Sequence, residues 1–257
     1  MRLGLISDVH GNLDALEAAL AVLRSERVER YICAGDLVGY GPHPNECVEM
    51  VRALEPLCVA GNHDLIALGE LAGERCDALA RRTLRWTREV LDDKSREYLT
   101  SLPRMQVEDG IVLAHGSLND PEEYVSYAEQ ATRQLHLLER THPSARVLVL
   151  GHTHRPWAQA QRSGTLLAWR SGVLELPRAE RLLLNPGSVG QPRERARVVR
   201  FSVLDLEDER ATFFAISYPH RRCRRELRRH GLPAGSCHRR PTPIRDQVRA
   251  LRRALRR

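Results

Sequence analysis

The chain of 257 residues has very little lysine: of 40 basic residues only Lys94 is one. That skew reads first as base composition or a heat-adapted host, and only then as selection for guanidinium chemistry. No apolar run approaches the ~18 residues that a membrane span requires, which argues against an integral membrane protein. The N-terminus enters an apolar strand at once, without the charged leader and apolar core of an export signal. The six cysteines, Cys33, Cys47, Cys58, Cys76, Cys223 and Cys237, include no Cys-x-x-Cys pair and no regular framework. Cys33 and Cys58 sit inside apolar runs, where a thiol behaves as a small hydrophobe. Reduced thiols and a cytoplasmic location are therefore expected. Internal repeats and low-complexity stretches are also absent from the body. The length suits one large α/β domain, alone or with an appendage.

The formal net charge of +7 is unevenly spread. Residues 220–257 carry 14 arginines against Glu226 and Asp246, a net of +12, which leaves the first 219 residues at −5. We divide the chain accordingly into a body, 1–218, and a basic, arginine-rich, helical extension, 219–257. One helix is expected from Arg221 to His230, stopped by Gly231-Leu232-Pro233. A second would align Ile244, Val248, Leu251 and Leu255 in one stripe. Three readings of this extension are open. It could close the fold or form a homo-oligomer contact, with a solvated arginine face. It could neutralise nucleic-acid phosphates, although it holds no aromatic residue on which bases would stack. A membrane-surface helix is the third, weakened by the lack of Trp or Phe on the stripe.

What the sequence does contain is five short polar signatures, each directly after an apolar run. They are Asp8-Val9-His10, Gly35-Asp36, Gly61-Asn62-His63-Asp64, His115-Gly116 and Gly151-His152-Thr153-His154. The preceding runs, Leu3 to Ile6, Tyr31 to Ala34, Leu57 to Ala60, Ile111 to Ala114 and Val147 to Leu150, read as buried parallel strands. Helices are expected over 13–23, 76–91 and 128–140, so the first 155 residues alternate strand and helix around a mostly parallel sheet. From residue 156 closely spaced short strands follow, near 165–169, 172–176, 181–184, 198–206 and 211–217. These are expected to run antiparallel, in a second sheet packed on the first.

The carboxyl ends of strands in an open α/β sheet share a crevice, so distant residues can converge there. Asp8 and His10, two apart, can face one side. Asp36 is the natural bridging carboxylate, Asn62 offers a neutral carbonyl oxygen, and His115, His152 and His154 offer imidazole nitrogens. Such a set, without thiolate, suits manganese, iron, zinc, nickel or magnesium rather than copper(I) or an iron–sulfur cluster. Two metals about 3.5–4 Å apart can hold a hydroxide and clamp a phosphoryl group.

In these five blocks the chain resembles the calcineurin-like metallophosphoesterase superfamily, over roughly residues 1–218. Ser7 to Asn12, Ala34 to Pro42 and Asn185-Pro186-Gly187-Ser188-Val189-Gly190 look most like its small bacterial and archaeal phosphodiesterase branch. The resemblance implies an α/β (α+β) four-layer α-β-β-α sandwich, two mixed sheets flanked by helices. It implies two divalent metal ions, manganese first among them. Asp8, His10, Asp36 and His154 would hold one, and Asp36, Asn62, His115 and His152 the other. His63 matches the family's non-ligand histidine, which contacts the phosphate and protonates the departing alkoxide. Asp64 either orients a histidine or bonds local backbone. The 185–190 loop either lies at the site or is a turn between strands.

Departures from the family refine the expectation. Relatives among the protein phosphatases and dinucleoside-tetraphosphate hydrolases carry an arginine that forks onto phosphate oxygens. Here Gly39-Tyr40-Gly41 and Asp64-Leu65-Ile66 occupy those places, which favours a diester over a doubly charged monoester unless another arginine, such as Arg155, folds in. The expected activity is phosphodiester hydrolysis of a small nucleotide-like substrate by a metal-bridging hydroxide, with His63 assisting the leaving group. A nuclease or phosphomonoesterase of the same fold and a non-catalytic scaffold are the alternatives.

Overall fold

The structure is a computed structural model that describes residues 1–238. The stripe at Ile244, Val248, Leu251 and Leu255 lies outside the described residues. Among the described residues, twelve strands form two six-stranded mixed sheets. The first sheet holds β1 (Arg2–Ile6), β2 (Arg30–Cys33) and β3 (Leu57–Cys58) in parallel. The antiparallel strands β11 (Val198–Asp205), β12 (Arg210–Ser217) and β9 (Gly172–Glu175) complete it. In the second sheet β5 (Ile111–Ala114), β6 (Val147–Val149) and β10 (Leu182–Pro186) run parallel. β4 (Met105–Glu108), β7 (Pro156–Ala160) and β8 (Gly164–Ala168) complete that one antiparallel.

The period of two along each strand sorts side chains between layers. Leu3, Leu5 and Ile32 of the first sheet meet Ile111, Leu113, Val147, Val149, Leu182 and Leu184 of the second in one buried cluster. Their neighbours in sequence point the other way. Ile6 and Cys33 pack with Leu16, Leu20 and Leu23 of α1 (Leu13–Ser25) and with Cys47, Val48 and Val51 of α2 (Pro44–Arg52). Val112, Ala114, Leu148 and Leu183 pack on Ala131, Leu135 and Leu138 of α6 (Ala128–Thr141). The result is helix, sheet, sheet, helix, as the resemblance implied.

The assignment of strands to sheets differs from the sequence reading. The five early runs do not share a sheet: three stay in the first, while β5 and β6 start the second. The later strands divide likewise, β9, β11 and β12 to one sheet and β7, β8 and β10 to the other. A strand covered on both faces is apolar throughout whichever sheet holds it, so periodicity cannot name its partner. The helix expected over 76–91 is α4 (Ala78–Val90), which starts late because the Asp77 side chain accepts the N–H of Ala80 at 2.9 Å. Three short helices were not foreseen: α2, α3 (Asn62–Leu68) and α5 (Asp93–Ser101).

The helix expected from Arg221 to His230 is α7 (His220–Arg229). Its Cys223 and Leu227 are buried with Leu232 and Cys237, and Trp86 of α4 packs against them. Arg222 reaches Asp14 of α1 at 3.3 Å. The described part of the extension is thus packed onto the body.

Candidate metal centre

All five signatures lie at the carboxyl ends of β1, β2, β3, β5 and β6, and each requires a sharp change of chain direction there. Asp8, His10, Asp36, His152 and His154 all adopt positive φ, between 51° and 63°. Such conformations cost of order 1–3 kcal/mol each for residues with a Cβ and persist only where surroundings impose them. Backbone bonds between the loops impose them here. Asp8 N–H donates to the Gly35 carbonyl at 3.0 Å and His10 N–H to that of Asp36 at 2.9 Å. His152 N–H donates to Asp8 Oδ1 at 3.2 Å.

The side chains so aimed are buried and converge. One ligand atom from each of Asp8, His10 and His154 falls within 4.8 Å of the others, as do those of Asp36, His115 and His152 and those of His10, Asp36 and His63. Asp36 joins the groups: its Oδ2 lies 3.6 Å from His10 Nε2 and 3.3 Å from His115 Nε2. Asn62 Oδ1 is 3.1 Å from the same His115 nitrogen.

Ring hydrogen bonds set the tautomers. His10 Nδ1 donates to the Val38 carbonyl (3.0 Å), His115 Nδ1 to that of Ala34 (2.6 Å) and His154 Nδ1 to that of Gln191 (2.7 Å). His152 uses Nε2 instead, donating to the Glu122 carbonyl at 3.2 Å. Each ring thereby turns its other nitrogen to the centre, the arrangement that outer partners give metal-bound histidines. His10 Nε2 and His154 Nε2 face each other at 3.2 Å. Two lone pairs so placed repel unless a cation stands between them.

The electrostatics agree. Burial, first of all, holds His10 down to about 3, and it pulls His152 and His154 well below the ordinary histidine range. Neutral imidazoles are the ligating form. Burial also works on His115 and Asp36, but each outweighs it for the other. His115 is raised to about 10 by the Asp36 carboxylate, and Asp36 is held well below its usual range by His115. The pair calls for one positive charge, for which a proton and a metal compete. The donor set therefore fits divalent metal cations.

His63 sits on the first turn of α3, its ring centroid 4.7 Å from those of His10 and Tyr40. Its backbone N–H donates to Asp36 Oδ1 at 2.8 Å, and its Nδ1 is buried without a hydrogen-bond partner. Gly39, at φ +94°, makes room for it: a Cβ there would stand 2.4 Å from His63 Nδ1. Gly39→Ala should displace the ring and lower kcat at least tenfold, a modest part of what a positioned acid contributes, with metal content unchanged. Parallel kinetics and metal analysis check this; an unchanged kcat would show that the ring position is unimportant. Asp64 bonds backbone: Oδ1 accepts from Val38 N–H at 3.1 Å and Oδ2 from Gly61 N–H at 2.9 Å.

The 185–190 loop ends β10 and also crosses the site. Val189 and Gly190 N–H donate to the Ser7 and Asp8 carbonyls at 3.0 and 2.9 Å. Above the centre opens a cleft whose walls include Tyr40, Arg75, Glu122, Tyr124 and Arg193. Arg155 does not line it; its guanidinium lies 4.9 Å from the centroid of the Trp169 ring. Arg193, not singled out from sequence, supplies the guanidinium instead. No spacing signal marked it beyond its place three residues after the 185–190 loop.

Residues 1–209 match the model of the calcineurin-like phosphoesterase superfamily domain. The chain belongs to that superfamily. With membership comes its reaction class, metal-dependent hydrolysis of phosphoric esters. An uncharacterized protein of Methanocaldococcus jannaschii is 30% identical over 90% of this chain and 93% of its own length. Symmetrical bis(5'-nucleosyl)-tetraphosphatase of Yersinia pseudotuberculosis is 31% identical over 51% of this chain, which spans about half (47%) of that enzyme. Among solved structures, a metallophosphoesterase from Sphaerobacter thermophilus superposes with a TM-score of 0.79 at 33% identity, covering 92% of this chain and 97% of that one.

Proposed function

We propose that this calcineurin-like protein is a dinuclear phosphodiesterase acting on a small nucleotide-like diester. The observation that carries the reading is Asp36 Oδ2 set between His10 Nε2 at 3.6 Å and His115 Nε2 at 3.3 Å, where one carboxylate can serve two cations. Asp8, His10, Asp36 and His154 would hold one metal, and Asp36, Asn62, His115 and His152 the other, with manganese the first candidate. Two such ions activate water and neutralise phosphoryl charge.

The chain's own residues do the remaining work. The carbonyls of Val38, Ala34, Gln191 and Glu122 fix the four rings. The Asp36 carboxylate also anchors the His63 backbone, which ties the position of the ring to the metal-holding group. Burial keeps His63 below its ordinary value, so the resting ring is neutral and offers one N–H to a phosphoryl oxygen. An arriving phosphate anion favours the protonated ring, which then passes its proton to the alkoxide leaving group. Relatives named as dinucleoside tetraphosphatases support a nucleotide-like substrate. Six unpaired thiols, most of them buried, fit a reducing, cytoplasmic setting. A phosphomonoesterase is the second reading, favoured by Arg193 in the cleft.

Metal-stripped protein refilled with manganese should hydrolyse bis-p-nitrophenyl phosphate faster than p-nitrophenyl phosphate. His63→Ala should lower kcat about 10²–10⁴-fold, the range for a positioned acid, while retaining both metals. A clear monoester preference would overturn the diester reading. Metal-independent turnover would overturn the site.

A further inference from the structure

Arg193 is placed as a substrate-binding group rather than as a surface charge. It follows Pro192 on a loop anchored on both sides. Gln191 N–H donates to Ser188 Oγ at 2.8 Å, and Ser188 Oγ donates in turn to the Asp8 carbonyl at 2.9 Å. On the other side Glu194 takes both Nε and Nη2 of the buried Arg200, at 2.6 and 2.7 Å. The Arg193 side chain therefore leaves a fixed stem. Its Nη2 lies 3.4 Å from His154 Nε2, and its Nη1 donates to Tyr124 Oη at 3.4 Å. The Tyr124 ring backs onto His152, centroids 4.1 Å apart, and the guanidinium sits 5.7 Å from the Tyr124 centroid. Arg193 thus reaches His154 directly and His152 through the Tyr124 ring, and it lines the cleft.

Its charge is also uncommitted. Arg75, the other arginine lining the cleft, pairs with Asp120 at 2.8 Å and Glu122 at 3.5 Å. Arg193 makes no ion pair among the described residues, and its Nε is buried without a hydrogen-bond partner. A buried cationic N–H with no acceptor is costly unless an anion completes it. Guanidinium presents paired donors in a planar fork suited to phosphate oxygens.

We infer that Arg193 binds a non-bridging oxygen of the scissile phosphoryl group. It replaces the arginine missing after Gly35-Asp36 and Gly61-Asn62-His63. This assignment rests on the phosphoesterase reading, and it extends the substrate class from singly charged diesters to dianionic monoesters.

Manganese-loaded wild type, Arg193→Ala and Arg193→Lys test it, with both p-nitrophenyl esters and with inorganic phosphate as a titrant. Arg193→Ala should keep two metals and lower kcat/KM about 10²-fold, as losing one transition-state donor does, and more for the monoester than the diester. Phosphate binding should weaken at least tenfold, and Arg193→Lys should restore only part of either loss because a point charge lacks the fork. Wild-type phosphate affinity and an unchanged monoester-to-diester ratio in Arg193→Ala would overturn the assignment. If wild type hydrolyses neither ester with any metal, the phosphoesterase reading fails by itself. The phosphate titration then still decides whether Arg193 holds the anion.

Discussion

Asp36→Asn should yield a folded protein that has lost metal-dependent turnover by at least 10³-fold, more than removing a single transition-state donor costs. The folded prediction follows from Oδ1. That oxygen accepts the His63 N–H at 2.8 Å, and an asparagine carbonyl can do the same, so the first turn of α3 keeps its anchor. The loss follows from Oδ2. An amide nitrogen there presents hydrogens, not a lone pair, to the position between His10 and His115, and the negative charge that would attract cations is gone. His115 would lose the partner that raises it to about 10. Thermal melts separate the two effects. Saturating manganese at 1,000-fold over its Kd stabilises a protein that binds it by about 4 kcal/mol. Wild type should therefore melt well higher with metal than with chelator, and Asp36→Asn should show little difference. Equal metal-induced shifts in both proteins would remove Asp36 from the bridging position.

The centre was legible in the sequence because its chemistry is carried by residues adjacent in sequence. Asp8 with His10, and His152 with His154, keep their spacing of two in any fold that places a strand before them. Asn62 and His63 are neighbours for the same reason. Less legible were contacts made by residues that carry no motif. The carbonyls of Ala34, Val38, Glu122 and Gln191 orient the rings, and a carbonyl has no residue-type signature. Arg193 is one of 39 arginines, so its type marks nothing until the 185–190 loop is placed against the turn after β1 by its bonds to the Ser7 and Asp8 carbonyls. The partition of strands into two sheets was hidden for a related reason. Leu113 and Val147 face the other sheet while Val112 and Leu148 face α6, so every position is apolar and no polar face remains to indicate a partner. The departure at Gly39-Tyr40-Gly41 was visible, but its consequence was not. The missing guanidinium is replaced from a loop about 150 residues away, which weakens the sequence argument against a monoester.

A chain ending at Tyr218 should lose metal affinity as well as stability, whereas one ending at His238 should match the full protein on small esters. The extension looks separable by charge, but its described part reaches the site. The Ser236 carbonyl accepts from Gln191 Nε2, and Ser236 Oγ donates to the Tyr40 carbonyl at 2.9 Å. Gln191 is the residue whose own carbonyl holds His154 Nδ1, and Tyr40 stands against both His10 and His63 with centroids 4.7 Å apart. Removing 219–238 takes the Ser236 hydrogen bonds from both residues and exposes the apolar side of Trp86. Partners that orient a metal-bound histidine are typically worth about 10–100-fold in metal affinity. Losing the cover that Cys223, Leu227 and their neighbours give Trp86 adds a cost of the order of burying a large apolar side chain, roughly 1.5–3 kcal/mol. Manganese titration of the two shortened chains checks the first effect, and melting in chelator checks the second. The residues that would hold the metals run from Asp8 to His154, so loss of small-ester turnover on removing only 239–257 would show that the arginine-rich segment acts on the centre. Intact affinity in the chain ending at Tyr218 would instead make the whole extension an appendage, with the Gln191 backbone held well enough by Ser188 alone.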